Sequence, residues 1–454
     1  MSRAPRLLGF FLALVGSAAA FACSNPTTDA AGDSFSETLA LAAATIARAV
    51  SAESSSYVDA AYLYASALEQ LGDAPPDRQV GPFTVAQLRV HADSMRDRAA
   101  AERSMDSCAS WVILRIPQPS ARVRLGAELS AALSNIDRSE EANELLVRAR
   151  QDLSAIGDDY DRAMARSLLV PAWQRAGVSK ESLSELGAIG DKDPLARVLA
   201  LLGRGQALRN TGANEEADAS LGEAHDVVQS MDRTKRDYAW ALGELAAGYA
   251  GVDRSVETRR VLGELAGARE RIRALVLVAD AYTRNGNGGA ADYWLAEALQ
   301  ETTKTRSSYE LATGLAETAG GFARRGDGER AQTLLGQALE VARKLDVLGS
   351  ERAGALSKIA RKYASMGDSK SALMIADVLL SDGSSDQAWA RAGVALALAE
   401  RGDFDSAIPV VFAIAKRDVR RVTLAGVLVS HVSASGLASP ADAFVLHRIL
   451  EEFG

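Results

Sequence analysis

The feature that most constrains this chain is a turn residue followed five positions later by a small residue. The clear pairs are Gly212 and Ala217, Gly286 and Ala291, Gly326 and Ala331, Gly367 and Ala372, Gly402 and Ala407, and Gly436 and Ala441. The weaker pairs are Asp137 and Ala142, and Gly177 and Ser182, with a further turn near Asp253. Successive turns are 33 to 41 residues apart. Such a period is typical of an array of helical hairpins, in which each unit buries its core against its neighbours.

The residues around the turns also favour helices. A glycine at the end of a helix can take the left-handed conformation that closes it. The aspartates that follow, Asp327, Asp368 and Asp403, can cap the next helix. Aromatic residues make up only 6% of the chain, and segments that alternate with a period of two are few. We therefore predict an all-α fold, with an array of about nine hairpins over residues 120–454. The 454 residues need no second core, because an array lengthens without enlarging its core.

Two further positions repeat upstream of the turns. Seven residues before a turn stands a small residue: Gly205, Ala246, Ala279, Ala319, Ala360 and Ala395. Four residues before a turn stands a bulky one: Trp173, Leu208, Tyr249, Tyr282, Phe322, Tyr363 and Leu398. The best copy reads Leu356, Ile359, Ala360, Tyr363, Gly367, Asp368 and Ala372. In this order of residue types, residues 120–454 resemble the tetratricopeptide repeat family.

The resemblance has departures. The family's tryptophan in the first helix and its closing proline are missing, and several units exceed the family's usual length. The alternative is a solenoid of the HEAT kind, whose first helix usually carries a proline, and Pro171 is the one hint of it. The tetratricopeptide resemblance implies an α-solenoid, a right-handed superhelix whose first helices line a concave groove.

That register implies which side chains face the groove. Positions thirteen, ten, six and three residues before each turn give Arg209, Trp240, Arg273, Asp280, Arg361 and Trp389. Tryptophan and arginine are the types enriched in binding hot spots, and Trp240 and Trp389 occupy the same position in two units. For each tryptophan the alternative is a partly buried packing residue, and for each arginine an exposed side chain without a partner.

The sequence carries no motif for catalysis, and we predict no catalytic, metal or cofactor site. The four histidines are far apart and follow no zinc-binding spacing: His91, His225, His431 and His447. No nucleophile elbow or phosphate-binding P-loop motif appears. The loop Gly286–Gly289 could cradle a phosphate, but its place in the repeat favours a turn between helices.

The N-terminus reads as an export signal. Arg3 and Arg6 precede an apolar stretch, Leu7–Gly16, and a tract of small residues, Ser17–Ala22. Ten apolar residues are too few to span a bilayer, which takes about 20. We therefore predict a signal peptide over residues 1–22.

Two modes of cleavage stay open. Ala20, Phe21, Ala22 and Cys23 resemble a bacterial lipobox, in which the cysteine after the cut carries the lipid, and the polar residues 23–35 would then form a disordered tether. The lipobox usually has leucine where Ala20 stands, so ordinary cleavage within this tract is the alternative. If Cys23 is lipidated, Cys108 is a buried apolar residue. If Cys23 is retained as a thiol, an oxidising compartment permits a disulfide between the two.

Residues 36–119 lack the repeat pattern. We predict helices over Phe35–Ala52, Tyr57–Leu71 and Thr84–Ile113, because turn or proline signals separate these segments. They would form an N-terminal helical cap or degenerate first repeats.

Charge narrows the class of partner. The net charge of the chain is −8, and loss of residues 1–22 makes it more negative, which argues against nucleic acid. We predict a non-enzymatic scaffold of the bacterial cell envelope that binds a peptide or protein in its groove. Its location would be the periplasm, with a lipid on Cys23 as its one contact with the outer membrane. The alternative is an accessory subunit of an envelope enzyme or secretion complex.

Overall fold

The structure, a computed structural model, describes most of the chain as helices joined by short turns. The residues it describes are 30–102, 104–346, 350–379, 385–435 and 443–453. They form two compact units, of which unit 1 comprises residues 30–102 and 443–451 and unit 2 the other described residues.

Unit 1 begins with three helices and one small antiparallel hairpin. The elements are α1 (Ala30–Ala52), α2 (Tyr57–Leu71), β1 (Gln79–Val80), β2 (Phe83–Thr84) and α3 (Val85–Glu102). The bounds of α2 are those predicted. Helix α1 begins before the predicted Phe35, so residues 30–35 of the predicted tether are helical, while residues 1–29 lie outside the described part.

The prediction of one helix over Thr84–Ile113 was wrong. Helix α3 ends at Glu102, and a separate helix, α4 (Met105–Ile113), begins in unit 2. Ser104 has an extended backbone, with φ −157° and ψ 156°, and its hydroxyl accepts a hydrogen bond from the amide of Ser107. Ser104 thus caps α4, because a capping side chain satisfies an amide that the first turn leaves free. Ser104 is also the first residue of unit 2.

Unit 2 continues as a run of helical hairpins. The first helices are α5 (Pro119–Ser134), α7 (Asp159–Arg175), α9 (Pro194–Asn210), α11 (Arg236–Ala250), α13 (Ala268–Arg284), α15 (Ser308–Arg325), α17 (Ser350–Ser365), α19 (Ser385–Glu400) and α21 (Arg417–Ser435). The second helices are α6 (Ser139–Asp152), α8 (Ser179–Ala188), α10 (Asn214–Ser230), α12 (Ser255–Gly263), α14 (Gly288–Thr303), α16 (Gly328–Arg343), α18 (Ser369–Met374) and α20 (Phe404–Phe412). The prediction of an all-α solenoid of tetratricopeptide-like hairpins is confirmed.

The predicted turn residues have the predicted backbone. The turn glycines with positive φ are Gly177, Gly212, Gly286, Gly326, Gly367 and Gly402, and Asp137 and Asp253 also have positive φ. The aspartates Asp327, Asp368 and Asp403 each accept a hydrogen bond from an amide of the following helix. Gly436 and Ala441, the last predicted pair, lie outside the described residues.

The repeated small and bulky positions form the core of the array. The small residues five positions after the turns have no exposed surface: Ala142, Ser182, Ala217, Ala291, Ala331, Ala372 and Ala407. The bulky residues four positions before the turns are all buried. At Gly205 a Cβ would lie 3.3 Å from the carbonyl oxygen of Ala217, so the absent side chain lets the two helices of a hairpin approach closely.

The array of unit 2 closes on itself. Each of the nine first helices in the described residues packs on the next, and α21 packs on both α4 and α5, at the other end of the same unit. Gly426 of α21 lies at this seam, where a Cβ would be 2.7 Å from Cδ2 of Leu396 and 3.9 Å from Cδ2 of Leu125. The first helices therefore form a ring, a closure that the sequence did not lead us to expect.

The last helix leaves the array. Most of α22 (Ala443–Phe453) belongs to unit 1, although residues 120–454 were all predicted to be repeats. His447 is 3% exposed, its Nδ1 lies 2.9 Å from Oε1 of Glu102, and its ring is centred 4.3 Å from that of Tyr57. The other oxygen of Glu102 accepts a hydrogen bond from the amide of Tyr57 at 2.9 Å. These contacts place α22 against helices of unit 1.

Candidate ligand-binding lumen

The ring of first helices encloses a space that we call the lumen. Packed helices are about 8–10 Å apart, so a circular ring of nine has a diameter of about 26 Å between opposite helix axes. A helix with its side chains is about 10–12 Å wide, so a circular ring would leave a lumen of about 15 Å. A lumen of this width would be wide enough for an extended peptide.

One side of the lumen is a largely apolar depression, the apolar cavity, of about 740 Å³. Helices α5, α7, α9, α19 and α21 contribute to it, chiefly through Met164, Leu168, Pro171, Leu199, Trp389 and Val419. Trp389 is 57% exposed. The two acidic residues at this cavity, Asp161 and Asp418, lie in the first turns of α7 and α21. A carboxylate there stabilises its own helix, because helix N-termini are electropositive.

The remaining four first helices line a second depression, the basic cavity, of about 270 Å³. Helices α11, α13, α15 and α17 contribute to it through Arg236, Trp240, Arg269, Glu270, Arg273, Glu317 and Lys358. Four cationic and two acidic side chains give this cavity an excess of positive charge, although the chain as a whole has a net charge of −8. The two cavities together therefore involve all nine first helices of the ring.

Trp240 is held in one orientation at the basic cavity. Its indole Nε1 donates a hydrogen bond to Oε1 of Glu244 at 3.2 Å. The guanidinium of Arg273 lies over the indole ring, 4.6 Å from its centroid, and pairs with the same carboxylate of Glu244. These contacts fix the ring, yet 39% of the residue stays exposed. A fixed, exposed indole is a ready surface for stacking, since little conformational freedom is lost on binding.

Glu317 is a half-buried anion of the basic cavity. Its carboxylate lies 2.9 Å from Nζ of Lys362 and 3.6 Å from Nζ of Lys358. Burial opposes its ionisation, but the two ammonium groups favour it more strongly, and together these effects lower the pKa of Glu317. The carboxylate is therefore ionised at neutral pH and offsets charge on the two lysines.

Four of the six predicted groove residues line cavities of unit 2. Trp240 and Arg273 meet at the basic cavity, and Trp389 lines the apolar cavity. Arg361 lines a third depression, of about 590 Å³, where its guanidinium lies 3.4 Å from a carboxylate oxygen of Glu400.

The other two predicted groove residues have partners in neighbouring helices. Arg209 pairs with Asp218 on α10 at 3.3 Å. Asp280 accepts two hydrogen bonds from Arg324 on α15, at 2.9 and 2.6 Å. Neither lines the cavities described above, and both connect helices through ion pairs.

Arg236 and Arg269 line the basic cavity but were not predicted from the sequence. Both lie seventeen residues before a turn, ahead of the positions that the resemblance assigned to the groove. A signal was present, because each is a cation in the first turn of a helix, where acidic residues are the favoured type.

The described residues contain no group of histidine, cysteine, aspartate and glutamate side chains placed to hold a metal ion. Within the same part of the chain, every helix is too short or too polar to cross a membrane. Cys108 is buried in α4. The predicted signal peptide and Cys23, with its lipid or its disulfide, fall in residues 1–29, which the structure does not describe.

Comparison with known proteins gives likeness to solved structures alone. No protein-family model matches the sequence, and no curated protein matches it. A Rap protein complexed with competence and sporulation factor is 14% identical, with 73% of this chain and 98% of that chain covered and a TM-score of 0.28. NprR in complex with its cognate peptide NprX is 14% identical, with 62% and 84% covered and a TM-score of 0.26. The apo form of RapI is 13% identical, with 69% and 97% covered and a TM-score of 0.28. Likeness at this level leaves the function to be argued from this chain's own residues.

Proposed function

We propose that this protein is a non-enzymatic scaffold that captures an extended peptide segment of a partner protein inside its lumen. The observation that carries the proposal is the placement of Trp240 and Trp389. Both lie thirteen residues before a turn, and they are 39% and 57% exposed. Helices α11 and α19 are the fourth and eighth of nine, so the two indoles occupy opposite sides of the ring.

Exposed tryptophans in this setting favour a binding role. Tryptophan is a large side chain that a chain normally buries for stability. Two indoles left exposed at equivalent positions forgo that burial in the free protein, and a ligand that covers both recovers it. Buried aromatic anchors of this kind dominate the energy of many interfaces. The apolar and basic cavities beside them supply a pocket for each end of such a segment.

The proposal is tested by removing each indole. We expect Trp240→Ala and Trp389→Ala to reduce the capture of cross-linked partners from intact envelopes, with little change in the midpoint of thermal unfolding. Tyr293→Ala is the control, because Tyr293 is 48% exposed on α14, a second helix outside the lumen. Undiminished capture by both tryptophan variants contradicts the proposal, as does a large loss of thermal stability in both.

The same cross-linking experiment distinguishes peptide capture from the alternative function, that of an accessory subunit of an envelope complex. A capture module releases its ligand on dilution, because its affinity comes from one segment in a groove. An accessory subunit instead co-purifies at fixed stoichiometry without cross-linking. Stable co-purification would therefore favour the accessory-subunit alternative.

We further propose that the protein is exported and tethered in a bacterial envelope through a lipid on Cys23. Support comes from the sequence of residues 1–23, in which a basic start and an apolar stretch lead to Ala20, Phe21, Ala22 and Cys23. Mass spectrometry of the mature N-terminus is expected to show a diacylglyceryl group on Cys23. An unmodified N-terminus at Phe21 or Cys23 would contradict this part of the proposal.

A further inference from the structure

We propose that the basic cavity recognises carboxylates, so that the segment captured in the lumen is an acidic peptide. In this assignment Arg236 and Arg269 pair with side-chain carboxylates of the peptide, and Trp240 packs against one of its apolar side chains. The inference rests on the proposed function and deepens it by naming the chemistry of the ligand.

Two of the four cations that line this cavity, Arg236 and Arg269, form no ion pair with an acidic side chain of the described residues. Among the described residues, none forms a hydrogen bond or ion pair with Arg236 or Arg269, and both side chains are exposed. The other cations of the cavity have acidic partners, since Arg273 pairs with Glu244 and Lys358 lies beside Glu317. Two of the four cations of the basic cavity can therefore pair with an anionic group of a ligand.

Glu270, the remaining acid of the cavity, is engaged at its own helix. Its carboxylate folds back over Gly267, the residue that caps α13, and occupies the space where a side chain on Gly267 would lie. An acidic side chain at this third position of a helix stabilises the helix start. Glu270 therefore serves α13, and its position gives no ion pair to Arg269.

These two arginines do not stabilise the helices in which they lie. Arg236 is the first residue of α11 and Arg269 the second of α13, where a cation opposes the helix dipole. Neither helix has a capping side chain. Both cations lie at positions that are unfavourable for the stability of their helices, and they line the same cavity as one exposed indole. This arrangement is suited to binding an anionic ligand.

A carboxylate of a peptide fits this cavity better than an inorganic anion does. The planar guanidinium of arginine matches a carboxylate through two parallel hydrogen bonds. An inorganic anion would leave the indole of Trp240 uncovered, whereas a peptide can place an apolar side chain on it. The apolar cavity lies in the same ring and offers Trp389 to further apolar residues of the segment. An acidic segment with interspersed apolar residues fits both cavities.

The test is a selection of peptides on the full chain. Random heptapeptides displayed on phage are selected for binding to the wild type and to the double variant Arg236→Gln/Arg269→Gln. The matched control is Arg284→Gln/Arg306→Gln, because both arginines are exposed, lie outside the basic cavity and have no partner among the described residues.

We expect the wild type and the control to enrich peptides that combine aspartate or glutamate with aromatic or aliphatic residues. A charge-assisted hydrogen bond is worth about tenfold or more in affinity, so an enriched peptide should bind the double variant about 100-fold more weakly. Binding to the wild type should also weaken as salt is raised. The double variant should unfold at the same temperature as the wild type or higher, since it loses two unfavourable charges.

The outcomes separate this inference from the proposed function. Enrichment of neutral peptides that bind the double variant equally well overturns the inference and leaves peptide capture standing. Failure to enrich any peptide on the wild type overturns both. A marked loss of thermal stability in the double variant would show that the arginines are structural, and would also overturn the inference.

Discussion

The packing of α21 in the ring gives a sharp test, through the substitution Gly426→Ala. Gly426 is buried in the interior of α21, where alanine is intrinsically better than glycine by about 0.8–1 kcal/mol. The new Cβ, however, would lie 2.7 Å from Cδ2 of Leu396 on α19. Carbon atoms in van der Waals contact are about 3.5–4 Å apart, so Leu396 or the backbone must move by about 1 Å.

The size of the effect follows from these two opposing contributions. Overpacking a core costs about 1–3 kcal/mol, and the lower half of this range applies because the end of a leucine side chain can rotate. Gly426→Ala should therefore change the free energy of unfolding by between about 0 and −1 kcal/mol. Gly222→Ala is the matched control, since Gly222 is exposed in the interior of α10 and its Cβ would meet nothing within 4 Å. The control substitution should raise the free energy of unfolding by about 1 kcal/mol. The free energies of unfolding of the two variants should therefore differ by about 1–2 kcal/mol.

Urea unfolding followed by circular dichroism measures this difference. Amide hydrogen exchange locates it, and we expect faster exchange in α5, α19 and α21 of Gly426→Ala, with α13 unchanged. If Gly426→Ala is stabilised as much as Gly222→Ala, then α21 does not pack on Leu396 of α19. The packing of the last two first helices, on which the ring depends, would then be wrong.

Three further predictions concern single residues. Gly326 has φ +95°, and Gly326→Ala should lower the free energy of unfolding by about 1–2 kcal/mol in urea titrations, because residues with a Cβ disfavour this region. His447→Ala deprives the buried Glu102 of its partner, at a cost of about 1–3 kcal/mol, and hydrogen exchange should rise in α1–α3 while the array is unaffected. The pKa of Glu317 lies below its ordinary value of 4.5, so its stabilisation is present above about pH 4.5 and is lost as pH falls through the lowered pKa. The wild type should therefore lose thermal stability below pH 4.5 more steeply than Glu317→Gln, and parallel profiles would contradict this.

Much of the fold was predictable because each repeat depends on the conformations and contacts of residues that are close in sequence. A turn glycine such as Gly367 needs a positive φ, a capping aspartate such as Asp368 satisfies the next amide, and Ala372 fits where two helices cross. Each requirement involves a few neighbouring residues and recurs with the repeat, so the register could be read directly from the chain. The placement of Trp240 and Trp389 followed from the same register.

The closure of the array could not be predicted in this way. It depends on the sum of small rotations between successive hairpins, which no single residue specifies. Gly426 shows the difficulty, because only the ring as a whole brings Leu125 of α5 to within 3.9 Å of the Cβ position of Gly426. The departure of α22 likewise depends on the contact of His447 with Glu102, 345 residues away in sequence. Arg236 and Arg269 were missed because the family register begins after them.

The closed seam restricts which part of a partner can bind. An open solenoid receives the middle of a long chain from the side, through the gap between its two ends. A ring offers no such gap, so a long chain must be threaded through it from a free terminus, unless α21 parts from α4 and α5. A bound chain must leave by the same route, and its residence time would reflect the opening of the seam as well as the strength of its contacts. Under the proposed function, the captured segment would therefore be the exposed tail of a protein, and fusing a folded domain to the free end of that tail should abolish its capture.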